Sequence, residues 1–206
     1  MEAFTVLEGA AAPLDQPNVD TGQILPARFL RRPRSEGYQQ FLFRDLRFRE
    51  DDSEDPSFVL NQAPFRQARI LVADRNFGVG SSREQAAWGL IDYGIRCVIA
   101  ADFGDIFYAN AFKTGLLPVR LDVDVCRSLR EQLLAHPEAG VRVDLPQQTV
   151  TGPDGVRHPF QIDAFRKRCL LEGLDDIGLT LQHEAAIAAF ERSYRQRFDW
   201  LFDTTH

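Results

Sequence analysis

Residues 68–121 read ARILVADRNFGVGSSREQAAWGLIDYGIRCVIAADFGDIFYANAFKTGLLPVRL, and their patterning decides the fold. ARILVA (68–73) is a short continuous apolar run, the pattern of a strand buried on both faces. The loop DRNFGVGS follows. It gives way to a helix, SSREQAAWGLIDYG, with Trp88, Leu90 and Ile91 as apolar positions and Gly94 as terminator. A strand at 95–101, a helix at 105–115 closed by Gly115, a strand at 116–121 and a helix at 124–137 extend the series. Strands alternating with helices in this way predict an α/β fold with a parallel sheet and right-handed crossovers.

Outward from this unit the signals change. FVL (58–60) predicts one more short strand. Residues 1–30 hold short apolar pieces broken by Pro13, Pro17 and Pro26. Residues 31–57 are polar and aperiodic; a stretch that long in a compact domain is often functional, with a solvated excursion as the alternative. VRVDLPQQTVT and VRHPFQI, on either side of Pro153-Asp154-Gly155, predict a hairpin. Residues 179–202 carry helical spacing at Leu181, Ala185, Ala188, Tyr194 and Phe198. No repeat and no linker divides the chain, so one domain is expected over 1–206.

Composition narrows the functions. With 44% hydrophobic and 26% charged residues, the chain has the balance of a globular domain. A net charge of −6 argues against nonspecific binding of nucleic acid. MEAFTVLEGA has no basic region ahead of an apolar run, and no stretch approaches a membrane span, so a cytoplasmic chain with no membrane contact is expected. Cys97, Cys126 and Cys169 are too far apart for a local metal knuckle or a CxxC pair, so no metal is assigned to this chain and the thiols are expected in the core. None of the four histidines falls in a motif.

The segment Asn76-Phe77-Gly78-Val79-Gly80-Ser81-Ser82-Arg83-Glu84 carries the chemistry. It follows a parallel strand and opens a helix, where α/β sheets hold ligands. Gly78 and Gly80 allow a tight turn and close approach of the backbone. Ser81 and Ser82 stand where free amides and the helix dipole favour an anion, and Arg83 adds a fork suited to a carboxylate. Ser81 with Glu84, or Ser82 with Gln85, also satisfies a capping box, which is the bland alternative. The third glycine of a dinucleotide fingerprint is replaced by Arg83, and no Walker lysine is present. Asn76 is a candidate for substrate contact or for turning the loop.

These residues carry a resemblance. NFGxGSSRE, then WxLxDYGxRxVIA, DIF and GLLPV, resemble the isopropylmalate dehydratase small-subunit family of the aconitase superfamily. Asn18-Val19-Asp20-Thr21 with Ile24-Leu25-Pro26 and Phe29-Leu30 is similar to that family's amino-terminal motif, and Gly173–Leu181 to its carboxyl-terminal one. The resemblance implies a swivelling β/β/α domain that docks on a separate large subunit. It implies that a 4Fe–4S cluster sits on that large subunit and that this chain binds no cofactor. It further implies Ser81 as the base that removes a proton beside a carboxylate, and Ser82 and Arg83 as holders of a small hydroxy-dicarboxylate. Arg34 stands beside the family's substrate-loop arginine, within the polar stretch 28–57. The expected reaction interconverts 2- and 3-isopropylmalate in leucine biosynthesis. Gly22 replaces a family aspartate, Gln85 a histidine, Val79 a cysteine and Ser35 the loop arginine. These departures leave open another substituted malate, such as citramalate, or a chain that kept the fold without catalysis.

Overall fold

The computed structural model describes residues 1–80 and 83–202. In chain order the elements begin with strand β1 (Val6–Pro13) and short helices α1 (Thr21–Ile24) and α2 (Arg44–Arg47). Then come β2 (Ile70–Val72), α3 (Glu84–Tyr93), β3 (Cys97–Ala100), α4 (Asp105–Thr114), β4 (Leu117–Arg120) and α5 (Val123–Ala135). Strands β5 (Gly140–Asp144), β6 (Thr149–Thr151) and β7 (Arg157–Pro159) precede α6 (Ala164–Glu172), α7 (Asp176–Leu181) and α8 (Glu184–Arg197). The strands form one sheet in the order β4-β3-β2-β1-β5-β6-β7.

The expected parallel unit is present. β2, β3 and β4 lie parallel and in step, with Ile70 opposite Cys97 and Cys97 opposite Leu117. Every residue of β2 and β3 is buried, as their unbroken apolar runs require. Alternation along each strand feeds two cores. Leu71, Ala73 and Val98 face α3, α4 and the segment around residues 38–65, whereas Ile70, Val72 and Ile99 face Leu129 and Leu133 of α5.

The amino-terminal strand is not legible in the sequence. β1 is VLEGAAAP, poor in β-branched residues, yet it sits at the centre of the sheet. Ala11–Pro13 pair in parallel with β2, while Val6–Ala10 pair antiparallel with β5, so β1 joins the two halves. Pairing on both sides overrides its weak propensity. The expected hairpin is a three-stranded meander, because the turn at 145–148 splits the first segment into β5 and β6 before the Pro153–Gly155 turn.

The expected strand at 58–60 is a 3-10 turn over Val59–Asn61. Local partners take the backbone groups a ladder would have used. Ser57 donates its N–H and hydroxyl to Asp55, and the Asn61 amide donates to the carbonyls of Arg47 at 2.6 Å and Asp55 at 2.8 Å. The polar stretch is partly core: Tyr38, Leu42 and Phe43 are buried against α3, whereas residues 31–36 are exposed. Buried Arg47 staples this stretch through the carbonyls of Gln39 and Leu42.

Two of the last helices begin on side-chain caps. Asp163 caps α6, which closes on the left-handed Gly173, and Asp175 caps α7. Among the described residues, none after Leu170 is buried. No described helix is long and apolar enough to cross a membrane.

Candidate active site

Three loops converge at the carboxyl ends of β1, β2 and β3, the edge at which parallel sheets bind ligands. Backbone hydrogen bonds knit them. Gly78 donates its N–H to Val19 at 2.7 Å, Thr21 to Val79 at 2.9 Å, Phe77 to Asp102 at 3.1 Å and Gly104 to Phe77 at 3.0 Å. The glycine loop after β2 is thus the middle strip, bonded to a neighbour on each side.

Sequence details explain the shape. Asp20 accepts from the amides of Gly22 and Gln23, and the Gln23 side chain accepts from the Asp20 amide, a complete capping box that opens α1. Asp20 Oδ1 therefore turns the chain. Asn76 is left-handed at φ 57°, which asparagine tolerates. Its amide nitrogen donates to the Asn18 side chain at 2.7 Å, and its backbone N–H donates to the Asp102 carboxylate at 2.7 Å. These two bonds orient the loop. Asn18 stands in the amino-terminal motif, but that it and Asp102 are the partners that hold Asn76 is not visible in the sequence.

Gly78 and Gly80 have φ of 74° and 95°, a region that other residues enter at a cost. At Gly78 a Cβ would stand 2.3 Å from the Phe107 ring, so the loop lies directly on the first turns of α4. At Gly80 the nearest atoms to a Cβ are 3.6 Å away, on Asp20. Gly78 is packed and Gly80 faces the opening.

Arg83 is the first described residue after the loop. It occupies the cap position of α3 in extended backbone, and its side chain reaches across α1, donating to the Leu25 carbonyl at 3.4 Å. A Cβ on Gly22 would stand 2.6 Å from Arg83 Nη1, so Gly22 makes room for the guanidinium. The structure brings Arg83, Gly22 and Gly80 to one mouth, with Gly78 packed beneath it. Ser81 and Ser82 lie outside the described residues.

Arg34 lies elsewhere. Its Nη2 donates to Asp92 Oδ1 at 2.8 Å and its Nε at 3.3 Å, and its guanidinium lies 5.2 Å from the Trp88 ring. Asp92 is nine residues beyond Arg83, about 14 Å along α3 at the helical rise. Arg34 is thus held at the far end of α3 from Arg83. Asp92 also accepts the Tyr38 N–H at 3.3 Å; burial and the Asp92 charge both raise the Tyr38 phenol above its ordinary range. Of the neighbouring arginines, Arg28 pairs with Asp45 and Arg32 with Glu36.

Comparison with known proteins decides the family. Residues 1–124 match the Aconitase C-terminal domain, residues 127–164 match LeuD_N, and residues 176–204 match the C-terminal domain of the 3-isopropylmalate dehydratase small subunit. The chain belongs to the 3-isopropylmalate dehydratase small-subunit family. A relative of that name from Xanthobacter autotrophicus is 51% identical, the match covering 98% of this chain and all of the relative. One from Gluconacetobacter diazotrophicus is 51% identical over 97% of each chain. The crystal structure of 3-isopropylmalate dehydratase (LeuD) from Methanocaldococcus jannaschii shares the fold, with a TM-score of 0.66 at 24% identity, covering 89% of this chain and 98% of that one.

The cysteines of this family member do not fit an iron–sulfur cluster. Cys97 is on β3, Cys126 on α5 and Cys169 on α6, and all three are buried. Burial pushes the Cys97 thiol far up, the Cys126 thiol up to about 11 and the Cys169 thiol upward. A cluster needs several thiolates brought together, whereas these three thiols stand on separate elements, and no group of metal-ligating side chains is present among the described residues.

Proposed function

We propose that this chain is the small subunit of a two-chain hydro-lyase that interconverts 2-isopropylmalate and 3-isopropylmalate in leucine biosynthesis. The observation that carries the reading is Arg83, laid over Gly22 at the mouth between α1 and the start of α3. The identity of about half the residues with full-length relatives of that name supports it.

In this reading Arg83 and Ser82 hold one carboxylate of the dianion, and Ser81 is the base. A serine hydroxyl is a poor base unless its anion is stabilised. The amino terminus of the ten-residue α3 and the Arg83 charge supply that stabilisation. Ser81 takes the proton from the carbon beside a carboxylate. The C–H electron pair becomes the new double bond as the neighbouring hydroxyl leaves, and water then adds with the positions exchanged. The large subunit's 4Fe–4S cluster would supply the Lewis acid for the departing hydroxyl. In this reading the chain works in the cytoplasm, with neither nucleic acid nor membrane as a partner.

The test is reconstitution with the cognate large subunit, followed by assay against 2-isopropylmalate, citramalate and citrate. Turnover of 2-isopropylmalate by the pair and none by this chain alone is expected. Preference for citramalate, or activity of the chain alone, would overturn the reading.

A further inference from the structure

The carboxyl-terminal tail is built unlike the rest of the chain. From α7 onward it exposes Ile177 at 72%, Leu181 at 59%, Phe190 at 64%, Trp200 at 69%, Leu201 at 49% and Phe202 at 44%. On α8, Ile187, Phe190 and Tyr194 follow one helical face, and the Tyr194 ring contacts Phe190, Phe198 and Phe202. The tail thus carries an aromatic ladder turned away from both cores. A helix of 14 residues is marginal without a covering surface. At the tail's root, Phe112, Phe165, Leu174 and Leu179 line a largely apolar groove of about 310 Å³, wide enough for an incoming apolar side chain.

We infer that this tail is the arm by which the chain holds its large subunit, a deepening that rests on the two-chain reading above. Area is the first argument. With whole aromatic side chains at about 150–250 Å² each, the exposed apolar residues of the tail present on the order of 900 Å². That matches the ~800 Å² that each partner gives to a standard interface. Extent is the second argument. The apolar set runs from Ile177 through Phe202, across α7, α8 and the 3-10 turn Asp199–Leu201. A pairing confined to α8 with a second copy would include neither Ile177, on α7, nor Trp200, on the 3-10 turn. A groove on a larger, different chain covers the whole set. Charge is the third argument. Arg192, Arg195 and Arg197 are balanced by Glu184, Glu191 and Asp199, which removes the net positive charge that draws an amphipathic helix to anionic lipid.

The experiment is calorimetric titration of the full chain into the cognate large subunit. Beside it stand a chain ending at Asp175 and the full-length double variant Phe190→Ser/Trp200→Ser. Because Phe190 stacks on its own helix neighbour Tyr194 and Trp200 is largely exposed, circular dichroism and Tm of the body should not change. Loss of two aromatic anchors should weaken binding at least ~100-fold. Turnover per assembled complex should recover once the variant is raised in excess. Wild-type affinity in either variant would overturn the inference. So would a loss of self-association, measured by sedimentation, with large-subunit binding intact, since that assigns the tail to a second copy. If the wild-type chain itself fails to bind the large subunit, the two-chain reading falls first, and this inference with it.

Discussion

Gly78→Ala isolates the contact that fixes the floor of the site. Two terms add. Gly78 has φ 74°, and an alanine held there costs about 1–2 kcal/mol. Its Cβ would also lie 2.3 Å from Cγ and 2.6 Å from Cδ1 of Phe107. That ring is 1% exposed and is hemmed by Phe77, edge-on at 5.3 Å, and Phe103, stacked at 6.3 Å, so it has little room to retreat. Overpacking of a filled core costs about 1–3 kcal/mol. The total is about 3.5 kcal/mol, or a Tm loss of about 10 °C for a chain this size. Gly80→Ala is the control. Its φ is 95°, but a Cβ there would meet Asp20 at an ordinary 3.6 Å, so only the backbone term applies, about 1.5 kcal/mol and about 4 °C. Differential scanning calorimetry of the two variants reads the difference. Equal losses, or a Gly78→Ala Tm within about 2 °C of wild type, would refute the packing argument.

Arg83→Lys keeps the charge but not the planar fork, so KM for the dicarboxylate should rise about tenfold or more with kcat little changed; steady-state kinetics of the reconstituted pair decides it. Arg130, 4% exposed, donates to the Ala73 carbonyl at 2.8 Å and pairs with Asp15 and Asp74. Arg130→Met strands those groups and should cost about 3 kcal/mol, seen as a lower urea midpoint with an unchanged m value. The buried thiols give an alkaline limit. Below pH 9 the Cys126 thiol is protonated in both folded and unfolded chains, so its burial costs nothing. From pH 9.0 to about 11 the unfolded chain loses that proton while the folded chain keeps it. Stability should therefore fall by about 1.4 kcal/mol per pH unit for each such thiol. Urea melts of wild type and Cys126→Ala across that window check the slope, which should be shallower in the variant.

The parts legible in the sequence are those where local pattern and tertiary role agree. β2, β3 and β4 are apolar runs buried on two faces, and Gly94 and Gly115 end their helices in left-handed backbone. β1 fails that test because Gly9 and its alanines say nothing locally about a central strand; two neighbours impose it. Phe58-Val59-Leu60 looks like a strand because its apolar run is real, but Asn61 and Asp55 satisfy the backbone another way. At the site, the glycine pair and Arg83 stand out because they are nearly contiguous. The pairing of Arg34 with Asp92 joins residues 58 apart, and the hold of Asn76 on Asn18 and Asp102 joins three loops. Neither carries a periodic or contiguous signature. The exposed face of the tail shows in the sequence simply as helical spacing, since periodicity reports that a face is apolar and not what covers it.

The central claim is that the glycine loop delivers a base. Its most direct measurement is solvent exchange of the substrate's carbon-bound proton in the assembled complex, comparing wild type with Ser81→Ala and monitoring folding by circular dichroism. Arg83 holds the cap position of α3, so no loss of a helix cap is charged to this substitution. A lost base should slow exchange by about 100-fold or more, and no other group takes its place, since Gln85 does not titrate and residue 22 is glycine. The account predicts a folded, assembled and exchange-dead Ser81→Ala complex. Near-normal exchange in that complex would contradict it and leave Ser81 as no more than a residue at a helix start.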